Sequence, residues 1–283
     1  MRHCQLLPSV AVRYLTDRTE SDRIPGEITN RLDALAGEYA DENVVIQEGG
    51  ATVRREDSLY LHEEIMLLAL RDKEGTVSSG TMYNFAIGGA VLAELLMEKR
   101  IDVEAVKKKL ARVLSPAPLG DPLIDECLSK IAGSKKRADL QHWVSSFAQV
   151  KNLKHRVAQQ LARRSILRID EDKVLGIFSR KIYPEIDPKP EREVIERLRQ
   201  AIFGDSAEID PRTVVLLSLA ASADLLKLVF DKKQLKSRKA RIQQIVNGEL
   251  TGKATKEAIE AMQAAVMVAC IIPAIVAATT AGP

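Results

Sequence analysis

Two groups of neighbouring ionisable side chains have a spacing that could support chemistry, but each has a simpler structural interpretation. His62-Glu63-Glu64 joins an imidazole to two carboxylates, yet no second histidine follows one helical turn later, so it is not the zinc-binding HExxH pattern. At a predicted helix start, Asp121, Asp125 and Glu126 would offset the helix dipole while staying solvated. The other histidines stand apart from any nucleophile or second ligand: His3, His142 and His155.

Recognisable catalytic and cofactor patterns are absent from the sequence. It contains no phosphate loop of the form GxxxxGK[ST], no GxGxxG dinucleotide fingerprint and no GxSxG nucleophile elbow. Cys4, Cys127 and Cys270 are far apart, which fits neither a disulfide framework nor a zinc site and is typical of a reducing, cytosolic compartment. We therefore expect no enzyme, no metal and no cofactor. A catalytic site assembled from distant residues is the alternative that a sequence leaves open.

Positive charge is concentrated in one segment of the chain. The 283 residues carry 42 Lys and Arg against 39 Asp and Glu, a net charge of +3, which is too balanced for a general nucleic-acid binder. Between Lys151 and Lys181, however, nine basic residues face three acidic ones, so this segment carries +6 and the remainder −3. The segment is therefore the candidate contact for an anionic partner.

The composition and the apolar periodicity predict a helical protein. Hydrophobic residues make up 46% of the chain but aromatic residues only 4%, which favours a helical core over a β-sandwich. Ser58 is a candidate cap for the first helix. The predicted helices cover residues 59–70, 82–99, 122–131, 139–149, 152–164, 190–202, 211–230, 235–246 and 254–278, with a short strand at 101–103.

One segment has the pattern of a β-hairpin. The β-prone runs 166–169 and 174–178 flank the polar residues 170–173, which predicts two strands joined by a four-residue acidic loop. The predicted fold class is therefore mostly α, a single globular helical domain with one projecting β-hairpin.

The two ends of the chain differ from its centre. Residues 1–57 contain seven basic and eleven acidic residues with little apolar periodicity, so we expect a poorly ordered or accessory extension before a domain at 58–283. Residues 264–278 form an uncharged run of 15. A membrane span needs about 20 apolar residues, so the run favours a buried core helix, and a tail anchor is the alternative.

An ordered set of strings resembles the Golgi phosphoprotein 3 family. The string LYLHEEIMLLALRDKEG, residues 59–75, resembles the opening motif of that family. The other matching pieces follow in the same order as far as residue 278: Gly89–Leu95, Gly120–Leu128, Trp143, the basic helix leading into Ser165, and Ala258–Val266. The resemblance implies a helical domain with a β-hairpin, in which the C-terminal apolar helix packs inside the fold.

The resemblance also implies a function and a site. It implies a cytoplasmic, peripheral membrane protein, on the Golgi in a eukaryotic host, that binds phosphatidylinositol-4-phosphate. Where the family has Arg-x-x-Arg, this chain has Lys151 and Lys154, and with Arg156 they form the expected headgroup site. The loop 76–80 lacks the tryptophan of the family, and Gly88 stands where the family has an arginine. Lysine is a point charge rather than a bidentate fork, which predicts looser headgroup selectivity.

The predicted hairpin combines apolar and basic residues as an interfacial anchor does. Its expected membrane-contact residues are Val174, Leu175, Ile177, Phe178, Arg180 and Lys181. The alternative interpretation is a protein-interaction adaptor or self-associating scaffold without specific lipid binding. Its partners would be a second copy of the chain, bound through the hairpin, or the cytosolic tails of membrane proteins.

Overall fold

A computed structural model describes most of the chain beyond residue 57. It describes residues 44–46, 52–54, 58–71, 75–77, 82–104, 109–174, 178–252 and the helical positions 260, 261 and 264. The chain divides into two compact units, Met1–Ser58 and Leu59–Pro283. In the first unit, β1 (Val44–Ile46) pairs with β2 (Thr52–Arg54) in an antiparallel register that places Val45 opposite Val53.

The described residues of the second unit are mostly helical, which confirms the predicted fold class. They form ten helices, α1 to α10: Leu61–Ala69, Tyr83–Met97, Pro122–Ala132, Leu140–Ala148, Leu153–Arg163, Lys189–Phe203, Pro211–Ser222, Leu226–Val229, Lys232–Ser237 and Lys239–Val246. Their strands, β3 to β8, are Leu70–Arg71, Thr76–Val77, Ile101–Val103, Ala111–Val113, Asp170–Val174 and Phe178–Ile182. These strands pair consecutively into three two-stranded antiparallel sheets, where the sequence predicted a single hairpin.

Helix α2 lies at the centre of the hydrophobic core. After its partly exposed first turn, from Phe85 to Met97, it is apolar on all sides except for Glu94, a pattern typical of a buried helix, and it packs against α1, α4 and α7. At Gly88 the backbones of α2 and α4 approach closely, because a Cβ there would lie 2.6 Å from the carbonyl oxygen of Val144. The position where the family resemblance places an arginine therefore serves helix packing in this chain.

Substituting Gly88 with alanine should destabilise the protein. The added methyl group meets the α4 backbone, which cannot rotate away as a side chain would, and overpacking of this kind costs about 1–3 kcal/mol of unfolding free energy. Urea denaturation measures the loss. Gly252→Ala is the matched control, because its Cβ would meet its nearest neighbour at an ordinary 3.6 Å. Equal stability of the Gly88 variant and the wild type would contradict the close approach.

The hairpin has a different register from the predicted one. The acidic residues belong to strand β7 rather than to a loop, with Glu171 opposite Lys181 and Asp172 opposite Arg180. Opposite charges facing each other across two strands stabilise a sheet, and here they specify the pairing. The apolar residues Ile166 and Leu167 are instead buried at the hairpin base, 4% and 2% exposed. The predicted acidic loop is therefore wrong, and the strands are joined by residues 175–177.

Several helix boundaries also differ from the predictions. The first helix begins at Leu61 with Tyr60, not Ser58, as its cap residue. The helix predicted over 211–230 is interrupted, because Asp224 adopts a left-handed conformation with φ of 61° and ends α7. The segment 235–246 is divided between α9 and α10 at Arg238.

The predicted C-terminal helix lies mostly outside the described residues. Of the uncharged run 264–278, only Ala264 is described; it is helical and buried, as is Ala261. Within the described part of the chain, no helix is both long and apolar enough to cross a bilayer.

Candidate functional site: a basic cluster at the start of α5

Half of the described cations between residues 151 and 181 are neutralised by ion pairs. The four pairs are Arg156–Glu126 at 2.5 Å, Arg164–Glu63 at 3.1 Å, Arg168–Asp170 at 2.7 Å and Arg180–Asp172 at 2.8 Å. Lys151, Lys154, Arg163 and Lys181 form no ion pair with any carboxylate in the described residues. The charge that remains available to a partner is therefore mostly lysine.

The start of α5 separates the two predicted headgroup lysines. Asn152 is left-handed, with φ of 57°, and the helix begins at Leu153. Asparagine tolerates this conformation better than most residues. Lys151 therefore precedes the helix and is exposed, so it does not share a helix face with Lys154. Lys154 lies in the first turn, near the positive end of the helix dipole.

Lys154, His155, Lys181 and Tyr183, which we call the basic cluster, bring α5 together with the end of β8. The ammonium of Lys154 lies 5.6 Å from the centroid of the Tyr183 ring, a cation–π contact. His155 Nδ1 is 3.1 Å from the hydroxyl of Tyr183, and Lys181 Nζ is 3.2 Å from His155 Nε2. Two cations therefore flank one imidazole–phenol pair.

The hydrogen bonds of the basic cluster determine the protonation of His155. An ammonium only donates, so Nε2 of His155 must accept from Lys181 and carry no proton. Neutral His155 then holds its proton on Nδ1, which donates to the Tyr183 oxygen. Burial and the nearby charges of Lys181 and Lys154 lower the pKa of His155, in agreement with a neutral ring. Burial and Arg180 likewise lower the pKa of Lys154.

Tyr183 is held in place by the turn between β3 and β4. Its backbone N–H donates to the carbonyl oxygen of Gly75 at 2.8 Å, and its side chain is only 2% exposed. Gly75 has φ of 57°, and a Cβ there would lie 2.4 Å from the nitrogen of Pro184, so only glycine fits. Burial and neighbouring Tyr83, at the start of α2, raise the pKa of Tyr183. The turn between β3 and β4, the start of α2 and the start of α5 therefore meet around Tyr183.

The structure does not bring every predicted site residue to the basic cluster. Arg156 turns to Glu126 and also donates to the carbonyl oxygen of Pro122 at 3.3 Å. Among the predicted hairpin residues, Lys181 joins the cluster, whereas Arg180 is paired within the sheet. Val174 and Phe178 oppose each other at the last pair of the sheet, and Leu175 and Ile177 lie outside the described residues.

A second basic surface was missed at the sequence level. Residues 232–248 contain six cations and no acidic residue, a count that would have revealed it. Four of these cations are exposed on α9 and the start of α10: Lys232, Lys233, Lys236 and Lys239. The other two are used structurally, since Arg238 donates to the carbonyl oxygen of Phe203 and Arg241 to that of Ala201.

The ionisable groups that resembled a catalytic site are buried. Glu63 and Glu64 lie in the first turn of α1 and are only 2% and 3% exposed. Asp121, predicted to be solvated, is 5% exposed; it caps α3 and lies 3.3 Å from Nε2 of His62, which is fully buried. This burial closes the His62–Asp121 pair to a substrate.

Other described groups offer no alternative chemistry. Burial raises the pKa of the Cys127 thiol to about 12, which keeps it protonated and poorly nucleophilic. Within the described residues, no group of three or more His, Cys, Asp or Glu side chains is arranged to hold a metal ion.

The buried His62–Asp121 pair should make stability depend on pH. Burial lowers the pKa of His62, but Asp121 outweighs it, and the net result is a pKa above the ordinary 6.5. Since folding raises this pKa, the stabilisation is complete below pH 6.5 and is lost as the pH rises through the folded value. The urea midpoint should therefore fall with rising pH more steeply in the wild type than in His62→Gln. Identical slopes in both proteins would contradict the assignment.

Comparison with known proteins agrees with the sequence resemblance. Residues 61–262 match the family model described as Golgi phosphoprotein 3 (GPP34). The chain is 24% identical over 259 residues to vacuolar protein sorting-associated protein 74 of Eremothecium gossypii, an alignment that covers 78% of this chain and 76% of that protein. The family match spans α1 to α10 and includes all four residues of the basic cluster. The chain therefore belongs to the Golgi phosphoprotein 3 family.

Proposed function

We propose that this protein binds the anionic headgroups of phospholipids at a membrane surface, through the basic cluster and the neighbouring Lys151. The observation that carries the proposal is the difference between paired and unpaired cations. Lys181 contacts His155 and Lys154 contacts Tyr183, and neither lysine has a carboxylate partner among the described residues, whereas the adjacent Arg156 and Arg180 are neutralised.

Electrostatic attraction alone gives modest, reversible binding. Each lysine near an anionic leaflet contributes about 1 kcal/mol, so Lys151, Lys154 and Lys181 together supply about 3 kcal/mol. An apolar contact is needed for stable attachment, and each Å² of buried apolar surface adds about 25 cal/mol.

The hairpin is the source of that apolar contact in this proposal. With the register that the structure gives, the connection between β7 and β8 has the sequence Leu175-Gly176-Ile177, flanked by Val174 and Phe178. The acidic residues that the predicted loop would have placed at its tip lie along β7, and Asp170 and Asp172 are paired with arginines. A chain segment that combines apolar and basic residues, as this hairpin does, is typical of an interfacial anchor.

Phosphatidylinositol-4-phosphate is the specific ligand that the family resemblance implies. The residues of the site favour binding to any anionic headgroup over selection of one particular headgroup. The ammonium groups of Lys154 and Lys181 act as point charges, whereas the guanidinium of an arginine can donate two parallel hydrogen bonds to one phosphate. In this proposal the site therefore accepts phosphatidylglycerol as well as the phosphoinositide, and a Golgi location applies to a host that has this organelle.

Flotation of the full chain with vesicles tests the proposal. Neutral phosphatidylcholine vesicles should recover little protein, whereas vesicles that also contain phosphatidylglycerol or phosphatidylinositol-4-phosphate should recover most of it at low salt. Raising the salt should weaken binding, because the exposed charges are screened. No recovery on either anionic vesicle at low salt would contradict the proposal.

The same samples distinguish the adaptor alternative. Light scattering would show whether the chain self-associates without lipid and whether Phe178→Asp removes that association. Such self-association, combined with no vesicle binding, would favour a scaffold. Vesicle binding by a monomer favours the lipid-binding function.

A further inference from the structure

We propose that His155 and Lys181 bind the phosphate of the lipid headgroup together with Lys154, and that His155 takes up a proton when they do. This inference rests on the proposed function and adds its regulation: membrane binding is coupled to pH through one imidazole. The ligand chemistry is the phosphodiester of an anionic phospholipid.

The geometry places the hydrogen-bonded pair of His155 and Tyr183 between two ammonium groups that could each donate to a phosphate. Lys181 Nζ approaches Nε2 from β8 at 3.2 Å, and Lys154 lies over the Tyr183 ring that accepts the proton of Nδ1. In the free protein one N–H of Lys181 is used on Nε2. When a phosphate oxygen takes over that N–H, Nε2 is released and binds a proton from solvent, while both lysines stay charged. The site then gains one donor and one positive charge.

Within the described residues, the cations near His155 favour its neutral form until an anion arrives. On its own helix the charged neighbour is Lys154; from β8 come Lys181 and, just beyond it, the phenol of Tyr183. The turn at Gly75–Val77 contributes no titratable side chain. Glu171 lies opposite Lys181 in the sheet register but forms no ion pair with it in the described residues. The negative charge of a bound phosphate therefore offsets these cations and favours the protonated form of His155.

The direction of the coupling follows from linkage. The cations lower the pKa of His155 in the free protein, and a bound anion offsets them, so binding takes up protons. Affinity must then rise as the pH falls. Each unit by which the bound and free pKa values differ changes the affinity about tenfold over the full range.

The experiment compares vesicle affinity at about pH 7.5 and about pH 5.5, across the ordinary titration range of histidine. Phosphatidylglycerol is the probe lipid, because its phosphodiester keeps the same charge over this range. Wild-type protein should bind about five- to tenfold more tightly at the lower pH, whereas His155→Gln, which keeps a neutral hydrogen-bonding side chain, should show little change. His142→Gln is the matched control at an exposed histidine on α4 and should behave like the wild type.

A second measurement separates a coupled site from a general surface effect. The pKa of His155, followed by NMR, should rise in phosphatidylglycerol nanodiscs relative to phosphatidylcholine nanodiscs. A parallel titration with soluble glycerophosphoglycerol shows whether the ligand must be part of a membrane. A rise with nanodiscs alone assigns the ligand to the membrane, and an equal rise with both assigns it to the phosphodiester itself.

Two outcomes overturn the inference in distinguishable ways. If the wild type and His155→Gln share one pH dependence, His155 is not coupled, and the proposed lipid binding still stands. If the wild type binds anionic vesicles at neither pH, the proposed function fails and the coupling fails with it.

Discussion

Arg212→Met should lower the free energy of unfolding by about 3–5 kcal/mol, which is the usual cost of removing one partner of a buried ion pair. Arg212 joins the start of α7 to α1 and α2, since its Nη2 lies 2.8 Å from both Glu94 Oε1 and the carbonyl oxygen of Leu59. Glu94 is fully buried in α2 and also accepts a hydrogen bond from the backbone N–H of Leu61 at 2.7 Å. Urea denaturation measures the loss.

A second substitution shows whether this loss of stability comes from the carboxylate of Glu94. Adding Glu94→Gln to Arg212→Met removes the charge but keeps an oxygen for Leu61, so the double variant should be more stable than Arg212→Met alone. Lys189→Met breaks an exposed pair with Glu193 and serves as the control, with an expected loss below about 1 kcal/mol. If the loss of unfolding free energy in the double variant equalled the sum of the losses in the two single variants, the pairing of Arg212 with Glu94 would be contradicted.

Local patterns in the sequence predicted most of the helices. The apolar face and the cap residue of each helix are encoded within about a dozen residues, and Asp139 illustrates this by capping α4 where its periodicity begins. The interruption at Asp224 was missed, because the residues around it have good helix propensity and the left-handed ending depends on packing.

The hairpin shows how β propensity alone can predict the wrong strand pairing. Ile166 and Leu167 were assigned to a strand by their apolar character, yet they anchor the base of the hairpin in the core. Strand β7 contains mainly charged residues, which β propensity disfavours, and the ion pair between Asp172 and Arg180 supports its pairing with β8. The complementary charges were visible in the sequence, but the prediction rested on hydrophobicity and placed the acidic residues in a loop.

The candidate site was predictable only in part. Lys151 and Lys154 came from the family resemblance, but the partners of each cation depend on contacts between distant residues. Arg156 pairs with Glu126, 30 positions earlier, and His155 meets Tyr183, 28 positions later. No local pattern encodes such contacts, so the distinction between neutralised arginines and unpaired lysines required the structure.

The double substitution Lys154→Glu, Lys181→Glu should weaken binding to phosphatidylglycerol vesicles at low salt by at least about tenfold, because each charge near the membrane contributes about 1 kcal/mol and both are reversed. Lys233→Glu, Lys236→Glu changes the net charge by the same amount on the second basic surface, where both lysines are exposed. Thermal unfolding of each variant establishes that it is folded.

Flotation of these two variants beside the wild type is the most direct test of the claim that the basic cluster binds the membrane. We expect the Lys154 and Lys181 variant to stay in the unbound fraction, while the Lys233 and Lys236 variant floats with the vesicles as the wild type does. Equal loss in both variants would show that only net charge matters, and unchanged binding of the cluster variant would show that the cluster is not the site; either result would contradict the account.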